Sequence, residues 1–96
     1  MHSRHSETNT NHAEVLALEA LGFLASDTER FGRFLRLTGL NLDAVRAGAG
    51  DPQFLASVLD YLLQDEPLLL AWCDAAGHHA GAVAAARRTL PGFQAI

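Results

Sequence analysis

The chain has 96 residues, a formal net charge of −4, no lysine and an apolar fraction of 49%. That length holds one domain. The composition excludes collagen-like, mucin-like and disulfide-framed chains, and its apolar share argues against wholesale disorder.

Residues 1–12 are mostly Ser, Thr, Asn, His and charge, which predicts a disordered N-terminal leader. Residues 13–92 read as a single helical domain and residues 93–96 as a C-terminal tail. β-branched residues are scarce and no strand-like alternation persists, so the fold class is all-α, a compact orthogonal bundle of five to six short helices. The first helix spans about Ala13–Ala25. Its apolar residues spread around most of the circumference, the pattern of a central, buried helix. Gly22 would admit a close helix crossing there, at a cost of about 1 kcal/mol relative to Ala.

The second helix opens on Ser26-Asp27-Thr28-Glu29, which reads as a capping box with Ser26 at its head. Gly39 supplies the left-handed residue that stops it. The third helix is short: Asn41 caps it, Leu42 and Val45 face inward, and Gly48 and Gly50 end it. Asp51-Pro52 opens the fourth, with Leu55, Val58, Leu59 and Leu62 at i, i+3, i+4, i+7. Asp65-Glu66-Pro67 opens the fifth, whose Leu69, Trp72, Cys73 and Ala76 share a face, and Gly77 closes it. The sixth runs about Ala80–Leu90 and stops at Pro91-Gly92. Helices one, four and five are expected at the centre.

Several stretches are similar to the bacterial domain-of-unknown-function family numbered 3572. They are Leu18 to Ala25, Phe34-Leu35 with Thr38-Gly39-Leu40, Asp51 to Leu55, Val58 to Leu63 with Asp65-Glu66, and Ala86 to Gly92. The likeness covers roughly residues 13–92 and lies in the order and spacing of core positions and caps. His78-His79 depart from it, where a proline-type helix start is expected. The resemblance implies a small, single-domain helical protein, mainly alphaproteobacterial. It implies no activity and transfers no functional residue.

No catalytic constellation emerges. Cys73 lies mid-helix beside Trp72 on the apolar stripe and reads as a small buried hydrophobe rather than a nucleophile. Ser26 is taken by the cap, and Ser57 has no neighbouring histidine. Asp51, Asp65 and Glu66 have capping roles, while Asp60 and Asp74 read as solvated. His2 with His5, and His78 with His79, fall short of the three or four fixed ligands that zinc requires. No metal and no cofactor is expected, and no Gly-rich phosphate loop is present. The single cysteine points to a reducing compartment, and the leader lacks a signal-type apolar run, so a cytoplasmic location and no membrane partner are expected.

Charge is unevenly placed: residues 30–42 carry +3 and residues 43–74 carry −5. Arg30, Arg33 and Arg36 recur every third residue, opposite Phe31, Phe34 and Leu35. A solvated helix face accounts for such a stripe; a partner-binding surface is the functional alternative. The leading expectation is a non-enzymatic protein–protein interaction or regulatory module that uses these three arginines, its partner another protein or a second copy. The alternative is a nucleic-acid-binding regulator using a helix-turn-helix-like pair at about residues 27–49, with Gly39 at the turn. Asp43 beside Arg46 on the would-be reading helix, together with overall acidity, disfavours nucleic acid.

Overall fold

The computed structural model describes the backbone of residues 2–92 and the side chains of residues 10–92. Among these residues the chain forms helices α1 (His2–Ala25), α2 (Thr28–Thr38), α3 (Leu42–Gly48), α4 (Pro52–Leu63), α5 (Glu66–Ala76) and α6 (Ala80–Arg88), with no strand. This is an all-α bundle, as the sequence predicts. The proposed tail at 93–96 lies outside the described residues. α1 starts at His2, well ahead of the predicted start near Ala13. No Gly or Pro stands between His2 and Leu21, so no backbone breaker ends the helix where the composition changes.

Local chemistry explains most boundaries. Asn41 Oδ1 accepts from the Ala44 N–H at 2.7 Å, Asp51 Oδ1 from Gln53 at 3.0 Å and Asp65 Oδ1 from Leu68 at 3.2 Å. Each satisfies a donor that the first helical turn leaves unpaired. Gly39, at φ 74°, takes the left-handed turn that only glycine adopts cheaply, and its N–H donates to the Leu35 carbonyl. The start of α2 differs from expectation by one residue. Asp27, not Ser26, is the cap and accepts from the Arg30 N–H at 3.0 Å. Ser26 turns back and donates to the Phe23 carbonyl at 2.7 Å, closing the end of α1 instead.

The core is built on α4, whose Leu55, Ala56, Val58, Leu59 and Leu62 are all buried. α1 packs on α4, α6 and α2, and α4 packs also on α5 and α6. The expected centre of helices one, four and five is therefore corrected: α6, not α5, completes the inner group with α1 and α4. Its run of Ala and Gly around Val83 makes a thin helix that can approach two neighbours closely. α1 is central yet one-sided. Ala13, Leu16, Ala17, Ala20, Leu21 and Leu24 are buried, but Val15 and Leu18 face solvent at 53% and 42% exposure. Gly22 has open space around it, so the crossing expected there does not exist. The close approach is at Gly48, where a Cβ would stand 2.5 Å from Cγ of Phe54. On α3 only Val45 is buried; Leu42 is half exposed rather than inward.

Two long-range polar contacts join distant helices. His78 Nε2 lies 3.0 Å from Glu19 Oε2, and its ring sits 5.0 Å from that of Trp72, fastening the α5–α6 turn to α1. Arg87 is buried on α6: its Nε donates to Asp60 Oδ1 on α4 at 2.6 Å, and Nη1 donates to the Leu90 and Pro91 carbonyls at 3.2 Å. Asp60 is thus one half of an ion pair, not a free solvated carboxylate.

Candidate partner-binding groove

α2 is amphipathic with one deeply buried anchor, Phe34. That ring meets Tyr61 of α4 edge-on at 5.0 Å and stacks near Phe31 at 6.1 Å. Long aromatic side chains, rather than close backbone approach, connect α2 to α4. Helices held apart in this way leave a trough between them, and the arginines of α2 lie along its wall.

The three arginines predicted to act together divide into two roles. Arg30 belongs to the fold: its Nη1 donates to the Phe23 carbonyl at 3.1 Å, and its guanidinium lies 4.0 Å from the Phe23 ring centroid. The Arg30 N–H also donates to Asp27, and this bond, helped by the Arg30 charge, holds the Asp27 carboxyl below the usual carboxylate range. Arg33 and Arg36 are exposed and form no hydrogen bond or ion pair with any described residue.

The trough consists of two depressions. One, of about 640 Å³, is lined by Arg30, Arg33, Arg36, Tyr61, Pro67 and Leu68, among others. The second, of about 540 Å³, is lined by Arg33, Leu37, Ser57, Tyr61, Gln64 and Pro67, among others. They share Arg33, Tyr61, Asp65 and Pro67, so they form one continuous groove from the start of α2 to its end. Leu37 on its rim is 64% exposed, more than Val15, Leu18, Leu42 or Leu70. The opposite wall carries Asp65 and Glu66 at the start of α5. The sequence singled out the arginines but not Leu37 or Tyr61; the i, i+4 spacing of Arg33 and Leu37 was the signal available for the former.

The other residues weighed for chemistry have structural explanations. Cys73 is buried, and loss of solvation pushes its thiol up, the opposite of an activated nucleophile. Ser57 Oγ donates to the Phe54 carbonyl at 2.6 Å. No three His, Cys, Asp or Glu residues among those described converge to hold a metal ion. The side chains of His2 and His5 lie outside the described residues. On α3, Asp43, Arg46 and Ala47 are exposed. No described helix is long and apolar enough to cross a membrane.

Fold and groove together define a small all-α domain with a charged, partly apolar trough on its surface. The model of a family described as Protein of unknown function (DUF3572) matches residues 10–93, and the chain belongs to that family. No curated protein and no solved structure matches it.

Proposed function

We propose that this chain is a non-enzymatic helical interaction module of the cytoplasm and that it meets its partner through the groove beside α2. One observation carries the reading: two exposed guanidinium groups, Arg33 and Arg36, have no partner within the described chain and line a continuous groove beside the exposed Leu37. Such residues cost the fold nothing if removed, and they present donors and apolar area together, the mixture typical of recognition surfaces. Arg30 borders the same groove but serves the α1–α2 corner, so it supports the contact surface from behind.

A nucleic-acid-binding role for the α2–α3 pair has less support. Arg46 is the sole cation of the seven residues of α3, and Asp43 stands one turn ahead of it. A photo-crosslinking residue at Leu37, compared with one at the exposed Ala85 of α6, tests the interaction reading in the native cell. Adducts are expected at Leu37, not at Ala85, and are lost when Arg33→Glu and Arg36→Glu are added. Absence of any adduct at Leu37 overturns the reading.

A further inference from the structure

We propose that the groove receives an acidic segment of another protein, two of whose carboxylates pair with Arg33 and Arg36 while a large apolar side chain rests against Leu37 and Tyr61. This rests on the interaction reading above and specifies the occupant. The two free guanidiniums stand three residues apart on α2, about one helical turn. That spacing suits carboxylates two residues apart in an extended segment, or three to four apart in a helix. Arg33 lies at the junction of the two depressions, with Arg36 facing one and Leu37 the other. A bound segment is therefore read for charge and for an apolar side chain at adjacent positions.

The opposite wall narrows the choice of partner. Asp65 and Glu66 line it, and Asp27 and Glu29 lie at the α2 end. A uniform polyanion such as duplex DNA would bring phosphates against these carboxylates as well as against the arginines. A segment with acids along one edge only avoids that repulsion, and the groove thereby fixes its orientation. A second copy of the chain is a poor occupant. Within its acidic stretch Asp51 and Asp65 serve as helix caps and Asp60 pairs with Arg87. Outside that stretch Asp27 caps α2 and Glu19 meets His78. The remaining described acids, Glu14, Glu29, Asp43, Glu66 and Asp74, offer no pair two to four residues apart.

Selection of displayed random peptides on the full chain, followed by fluorescence anisotropy with synthetic copies, tests the proposal. Enriched peptides are expected to carry two Asp or Glu residues two to four positions apart and a neighbouring Leu, Phe or Trp. Binding should weaken as salt rises and fall by at least about tenfold in the Arg33→Glu/Arg36→Glu variant. A peptide with Lys in place of its acids should recover binding to that variant, an outcome that a merely unfolded protein could not give. Circular dichroism of the variant should match the parent, since both side chains are exposed. Neutral or basic peptides that crosslink to Leu37 would overturn the acidic occupant while leaving the interaction reading in place. No enriched peptide together with no adduct at Leu37 would overturn both. A dimer abolished by the double substitution, or duplex DNA competing for the groove at low salt, would also overturn the proposal.

Discussion

Two regions use arginine in opposite ways. At the α4–α6 contact Arg87 is drawn inside, and three of its hydrogen bonds go to Asp60, Leu90 and Pro91. Along the outer wall of α2, Arg33 and Arg36 are exposed and form no hydrogen bond or ion pair with any described residue. Helical position does not separate the two cases, since Arg36 and Arg87 both lie in the last turn of their helices, where the dipole favours a cation. What separates them is the neighbour. α4 lies close against α6 and presents a carboxylate, whereas α2 meets α4 through the Phe34–Tyr61 ring contact rather than by close backbone approach. Charge that the fold does not absorb remains available to a partner.

The largest expected effect tests how α2 is held. Phe34→Ala removes its one buried anchor and should cost about 3–5 kcal/mol by urea denaturation, with loss of peptide binding as the groove wall loosens. A variant that keeps its stability would show that α2 is held by something other than that anchor. Next, Asp60→Ala leaves Arg87 buried without its carboxylate. Because the Asp60 side chain is 44% exposed, the expected loss is about 2 kcal/mol, below the full cost of breaking a wholly buried pair. Thermal unfolding reads it, and a change near zero would place Arg87 in the same class as Arg33.

A smaller, pH-dependent effect belongs to Asp27. Its carboxyl is held low in the folded chain, so its contribution is present above the ordinary carboxylate pKa and is lost as pH falls through the lowered value. Asp27→Ala should therefore be less stable than the parent at neutral pH, and the gap should close in acid. The smallest effect on stability is expected for Arg33→Glu and Arg36→Glu, each within about 0.5 kcal/mol, with partner binding the property that changes. A large destabilisation from either would place these arginines with Arg87 and erase the contrast.

Much of the fold is legible along the chain because its signals are local. Asn41, Asp51 and Asp65 cap as their positions predict, Gly39 and Gly77 end helices in the left-handed conformation, and the α4 stripe is buried throughout. Misread positions lie where two local solutions compete or where a distant element decides. Ser26 and Asp27 can both cap α2, and the carboxylate took the role while the hydroxyl bonded backward. A close approach is expected at Gly22 and a helix end at Gly48, yet it is Gly48 that meets a ring from the next helix. Of the groove, the sequence pointed to the arginine stripe. It did not show that Arg30 is spent on Phe23, or that Tyr61 and Pro67 lie across from Arg33.

The amino-acid sequence by itself determined the all-α class, most helix ends and the apolar face of α4, because caps, glycine stops and helical periodicity act over three or four residues. Tertiary structure alone decided that thin α6 joins the centre in place of α5, that Asp60 and Arg87 pair across 27 residues, and which arginines remain free. Those outcomes depend on how closely helices approach, and that distance is set by side chains on both partners at once.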